Sequence, residues 1–261
     1  MPSIAVSSDG VSIAYEDHGS GSPAVVLVHG WSCDRTYWQD QIAALSSSNR
    51  VVAVDLGGHG ESGVNRDDWT IESFGRDVAA VANALGLDEM VLVGHSMGGD
   101  VVVEAARNLP GRVNGLVWID TYKQLGSPRT AEEVAEIVAP FRADFVTTTT
   151  NLVSGMFSPT ADSALVARVA ADMASAPPEI AAEALESSFT YGRQVTTPVQ
   201  ELNVPIVAIN PADPPSDVES LERYGVDLVL VPDVGHFIML EDPERFTAVL
   251  RDVMSKFPQG G

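Results

Sequence analysis

The sequence predicts an α/β protein whose mostly parallel, eight-stranded sheet carries helices on both faces. Three observations support this. Short β-branched apolar runs alternate with segments of helical period, glycine-rich loops follow several of those runs, and one strand-free stretch of roughly 75 residues interrupts the alternation.

The elements follow in order. Ser3 to Val6 and Val11 to Glu16 read as an opening hairpin around "SSDG", and Ala24 to Val28 reads as a buried strand ending at His29-Gly30. A helix over Tyr37 to Leu45 and a strand over Val51 to Val54 lead into the loop "DLGGHGES". Thr70 is placed to cap a helix whose apolar face is Ile71, Phe74, Val78, Val81 and Leu85, spaced three and four apart. Val91-Leu92-Val93 is a strand stopped by Gly94. After Ser96 the period lengthens, with Val102, Ala105, Ala106 and Leu109 on one helix face. Val113 to Ile119 is the next strand.

The strand-free stretch then begins. Thr130 with Glu133 forms a capping-box pattern, and "TADSALVARVAADM" and "PEIAAEALESSF" read as further helices. Alternation resumes with Pro205 to Ile209, a helix around Ser216 to Tyr224 and a strand over Asp227 to Val231. A final helix opens at Asp242-Pro243 with Phe246, Val249, Leu250, Val253 and Phe257 inward. The expected organisation is a core over residues 1–121 and 199–261 with a helical cap over 122–198.

Composition narrows the function. Acidic residues number 36 against 15 basic, a formal net charge of -21, and such a field repels nucleic acid and anionic lipid. No apolar run approaches the roughly 20 residues of a membrane span, and "MPSIAVSSDGVSIAY" lacks the pattern of a secretory leader, so the expected location is cytoplasmic. Cys33 is the only cysteine, which leaves no internal disulfide. It reads as a small buried thiol near Trp31. Five histidines without paired spacing suggest no metal site, and no cofactor is expected.

The chemistry concentrates at "GHSMG". A serine on a sharp strand-to-helix turn has its hydroxyl lifted clear of the backbone, and glycine at 94 and 98 relieves the crowding of strand against helix. A serine needs a base, and the base needs a carboxylate to hold its tautomer. His236 in "PDVGHF" and Asp213 in "INPADPP" each follow a strand at the sheet edge where Ser96 stands. Asp120 in "LVWIDT" is the rival acid, and Asp217 lies in the same loop as Asp213. His29 reads as a brace for its turn, and His59 and His95 as structural or pocket-lining residues.

The motifs "VLVHGW", "VDLGGHGES", "VGHSMGG" and "PDVGHF", in the order Ser96, Asp213, His236, resemble the α/β-hydrolase family along essentially the whole chain. They are most similar to its small bacterial carboxylesterases, arylesterases and cofactor-free haloperoxidases. The resemblance implies Ser96 as nucleophile, His236 as base, Asp213 as acid, and an oxyanion hole from the amides of Trp31 and Met97. One departure is Asn210, where many relatives carry glycine three residues before the acid.

The expected activity is hydrolysis of small carboxylic esters through an acyl-enzyme, with a small-molecule ester as the partner. Enol-lactone hydrolysis, C–C bond hydrolysis in aromatic catabolism, perhydrolysis, and ligand sensing without turnover are the alternatives. Phe141, Phe145, Met156, Phe157, Met173, Phe189 and Tyr191 divide between an apolar roof over the serine and the cap's own core.

Overall fold

A computed structural model describes residues 1–258. Eight strands form one sheet in the order β1-β2-β4-β3-β5-β6-β7-β8. β1 (Ser3–Val6) and β2 (Ser12–His18) pair antiparallel, as β2 does with β4 (Val51–Val54). All remaining pairings, through β3 (Ala24–Val28), β5 (Met90–His95), β6 (Val113–Ile119), β7 (Ile206–Pro211) and β8 (Val226–Val231), are parallel. The apolar runs read from the sequence are buried throughout β3, β4 and β5, as strands covered on both faces must be.

Successive strands switch direction across the sheet at β3. The chain moves outward from β3 through α1 (Gln39–Leu45) to β4, then returns through α2 (Ile71–Ala84) to place β5 on the other side of β3. A crevice opens at the carboxyl ends of β3 and β5, where such folds place their ligands. The α2 helix starts as expected, with Thr70 Oγ1 accepting from the Ser73 amide at 3.2 Å.

The turn from β5 into α3 (Met97–Asn108) is the tightest feature of the sheet edge. A Cβ on Gly94 would lie 2.1 Å from the Gly98 carbonyl oxygen, and one on Gly98 would lie 2.6 Å from the carbonyl oxygens of Val28 and His29. These clashes are with backbone, so they cannot be relieved by a rotamer change. Ser96 between them has φ 53° and ψ −121°, a conformation that costs of order 1–3 kcal/mol and persists only where packing enforces it.

Between β6 and β7 the chain is helical: α4 (Ala131–Ala143), α5 (Phe145–Ser154), α6 (Ser163–Met173), α7 (Pro178–Gly192) and α8 (Thr196–Glu201). The Thr130–Glu133 capping box forms in both directions at the start of α4. "TTTT", which has no helical signature of its own, lies inside α5, whose start is capped by Asp144. Packing on one buried face, at Phe145, Thr149 and Val153, outweighs the weak propensity of threonine.

Polar bonds tie this insertion to the sheet. Trp31 Nε1 donates to the Ala181 carbonyl at 2.7 Å, Tyr37 Oη to Asp172 at 2.7 Å, Tyr191 Oη to Glu104 at 2.8 Å, and the His236 amide to the Met156 carbonyl at 2.8 Å. Two short helices flank the last strand, α9 (Val218–Arg223) before it and α10 (Ile238–Glu241) after it, and α11 (Pro243–Ser255) closes the fold. Among the described residues no helix is long and apolar enough to cross a membrane.

Gly94→Ala sets a methyl against an immovable carbonyl. The variant is expected to lose about 1–3 kcal/mol or more, read as a fall in Tm of roughly 5 °C; an unchanged Tm would show that β5 and α3 can separate at no cost.

Candidate active site

Ser96 is half-buried at the elbow and opens into a cavity of about 600 Å³ enclosed between the sheet edge and the helical insertion. The amide of Met97, first in α3, has no acceptor within its own helix and sits at the helix's positive end. Trp31, directly after Gly30 at the end of β3, lines the same cavity, as does Met97. Trp31 and Met97, whose amides the sequence reading gives to an oxyanion, thus follow the adjoining strands β3 and β5 and share the serine's cavity.

His236 also lines the cavity, from the loop after β8. Its Nδ1 lies 2.7 Å from Asp120 Oδ2. A carboxylate accepts only, so Nδ1 carries the proton and Nε2 keeps its lone pair. Asp120 follows β6 in a left-handed backbone conformation, φ 45°. Burial alone would raise its carboxyl, but the hydrogen bond and charge of His236 and the ammonium of Lys123 outweigh this and hold it below the usual carboxylate range.

The structure does not bring together the pair expected from the sequence: His236 is paired with Asp120, the rival carboxylate, and Asp213 stands exposed in the turn after β7. The reason is local. Asn210, at the end of β7, donates to the Tyr122 carbonyl at 2.9 Å and to Ser216 at 3.0 Å. These bonds tie the loop after β7 to the turn after β6, and Asp213 lies on the loop's solvent side. Asp217 is committed to capping α9 through the Ser220 amide.

The other histidines divide as their surroundings dictate. His29 Nε2 accepts from the Leu56 amide at 3.0 Å, so Nδ1 donates to the Gly30 carbonyl at 2.8 Å, bracing the turn before Trp31. His59 is buried, and desolvation lowers its pKa to about 3. His95 faces the cavity, packs against His236 with ring centroids 4.6 Å apart and planes tilted by 50°, and donates from Nε2 to the His236 carbonyl at 2.9 Å. Burial, reinforced by His236, lowers it to about 3, so it stays neutral beside the base. Cys33 is buried, borders the cavity and donates to the Trp31 carbonyl.

Of the seven candidate roof residues, Phe141, Met156, Met173 and Phe189 line the cavity. The other three support it: Phe145 packs its edge on Trp31, Phe157 stacks on Phe237 at 4.8 Å, and Tyr191 bonds to Glu104. Sequence reasoning missed Asp100, one turn beyond the elbow on α3. It is buried in the cavity wall and accepts from Tyr122 Oη and, at 2.8 Å, from Ser188 Oγ. Burial pushes its carboxyl up to about 7 against the opposing effect of those two hydroxyls. An acid at a helix start looks like an ordinary dipole partner, which hid it.

Residues 25–249 match the model of the alpha/beta hydrolase family. A thermophilic esterase from Thermogutta terrifontis superposes with a TM-score of 0.84 at 29% identity, covering 98% of each chain. An N-acyl homoserine lactone degrading enzyme superposes with a TM-score of 0.80 at 26% identity, over 95% of this chain and 99% of that one. A non-heme chloroperoxidase of Kitasatospora aureofaciens is 37% identical over 121 residues, 46% of this chain and 43% of that protein, so the chain covers less than half the length of this curated relative.

Because the folded state holds the Asp100 proton more tightly than the unfolded chain, its stabilising contribution is complete below about pH 4 and declines as pH rises toward about 7. Asp100→Asn removes that decline. Relative to wild type, its Tm is expected to rise by a few degrees between about pH 5 and about pH 8; a constant difference across that range would place the titration elsewhere.

Proposed function

The chain belongs to the alpha/beta hydrolase family, and from that premise we propose that it is a serine hydrolase of small carboxylic esters, with Ser96 as nucleophile, His236 as base and Asp120 as acid. The observation that carries this reading is the 2.7 Å bond from His236 Nδ1 to Asp120, in a cavity shared with a serine held on a strained elbow. The likeness to an esterase and to a lactone-degrading enzyme over nearly the whole chain supports it.

The mechanism follows from the geometry. Asp120 fixes the imidazole tautomer, so Nε2 accepts the Ser96 proton as Oγ adds to the ester carbonyl. The amides of Met97 and Trp31 receive the charge that develops on the carbonyl oxygen, in a setting where water is largely replaced by Phe141, Met156 and Phe189. The imidazolium then protonates the departing alcohol and leaves an acyl-enzyme. Water, deprotonated by the same Nε2, adds to that acyl group, and Ser96 leaves with its proton restored. Neutral His95 packed against His236 leaves the imidazolium free of cationic repulsion from that side.

Cavity size supports small substrates. About 600 Å³, lined in part by the aromatic side chains of Trp31, Tyr122, Phe141, Phe189 and Phe237, is the size of a small-molecule site.

Initial rates on p-nitrophenyl esters of two to twelve carbons are expected to peak at the shorter chains. On the best of these, Ser96→Ala should lower kcat by about 10⁴-fold or more, and Asp120→Asn by roughly 10³- to 10⁴-fold. Asp213→Asn should remain within about twofold of wild type, as befits an exposed side chain away from the base. A greater loss from Asp213→Asn than from Asp120→Asn would return the acid to the β7 loop.

A further inference from the structure

The chain has two lysines, and one of them stands at the acid. Lys256 pairs with Asp252 on the surface of the last helix. Lys123 is partly buried, with Nζ 2.9 Å from Asp120 Oδ1 and 3.2 Å from the carbonyl of Pro211, the last residue of β7. The other carboxylate oxygen, Oδ2, receives His236. Both oxygens of one carboxylate are thus held from opposite sides, one by the base and one by a cation.

The backbone around the lysine is fixed as well. The Lys123 carbonyl accepts from the Asp217 amide at 2.7 Å, and the Tyr122 carbonyl accepts from Asn210, so the turn after β6 is sewn to the loop after β7. Lys123 spans the gap between those two strand ends.

We propose that Lys123 is a positioning residue for the Asp120–His236 pair, its ammonium holding the carboxylate oxygen that the imidazole leaves free. The proposal rests on the reading of His236 as base and Asp120 as acid. A carboxylate gripped at one oxygen rotates broadly about its terminal torsion, whereas one gripped at both keeps its plane and holds the imidazole toward Ser96. The ammonium also stands close to the imidazole through the shared carboxylate, so a variant without it changes the charge that the ring feels.

The remaining ionisable groups around the pair leave Lys123 as the cation that bears on it. His95, from β5, is held neutral by burial. Glu241, from α10, accepts from the amides of Gly235 and Ser158, and Asp217 caps α9. Asp100, across the cavity, is bound to Tyr122 and Ser188. Asp213, Asp233 and Arg129 are exposed.

The test compares wild type with Lys123→Met, Lys123→Gln and Lys123→Arg by two readouts. One is the pH profile of kcat/KM on a short p-nitrophenyl ester. The other is the pH titration of the His236 ring by NMR, its signals identified by their loss in His236→Gln. The neutral variants should lower kcat about tenfold with KM within about twofold, and should move the acid limb of the profile and the ring titration to higher pH by about one unit. Lys123→Arg, which keeps the charge, should restore both.

Loss of rate with an unmoved limb and an unmoved ring titration would reduce Lys123 to a structural residue and overturn the proposal. The NMR arm needs no turnover. A wild type inert on every ester would overturn the function proposed above, while the ring titration would still decide whether Lys123 acts on the pair.

Discussion

Everything at the site descends from the contact between β5 and α3. The helix approaches the strand so closely that Gly94 has no room for a side-chain atom against the Gly98 carbonyl, and Gly98 has none against β3. That closeness forces Ser96 out of ordinary φ/ψ space and leaves the first amides of α3 facing the same crevice as its hydroxyl. The same docking fixes where the rest of α3 points. Asp100 and Glu104, one and two turns along, face Ser188 and Tyr191 of α7, so the elbow that exposes the nucleophile also sets the anchor for the helices above it.

The insertion is therefore held by directional bonds as much as by apolar contact. Trp31 illustrates the economy of this arrangement. It lines the serine's cavity, its ring packs against Phe141 and Phe145, and its indole N–H holds a carbonyl of α7. A hydrogen bond made by a buried indole contributes little net free energy, but leaving that N–H unmet beneath the insertion would cost about 1–3 kcal/mol. The roof is thus held in one register, and the cavity keeps a defined shape.

The fold was legible because strands and helices in this chain carry distinct periods and sharp punctuation. The eight strands, the capped α2 and the elbow all follow from apolar spacing and from glycine at two crowded positions. What the sequence left open was decided by side-chain geometry across loops. Asp120 and Asp213 both follow strands on the correct sheet edge, and chain order accommodates either. The discriminating signals were small: a polar Asn210 at the end of β7, bonded to Tyr122 and Ser216, and a scarce lysine three residues after Asp120. In the same way, no periodicity separates Met156, which lines the cavity, from Phe157, which stacks beneath it on Phe237. Adjacent residues on an irregular turn face opposite ways.

With the proposed acid at the end of β6 rather than in the β7 loop, the neighbouring groups take on different tasks. An acid after β6 lies beside the first residues leading into the insertion, so its carboxylate shares a turn with Tyr122 and Lys123. Tyr122 reaches Asp100 in the cavity wall, and Lys123 reaches β7. Asp120, the cavity wall and the end of β7 are therefore linked through three consecutive positions. In a chain of net charge -21 the cost of one more buried carboxylate is substantial. Here that cost is offset locally by one lysine and one histidine, and the same two groups fix the carboxylate's orientation toward the base.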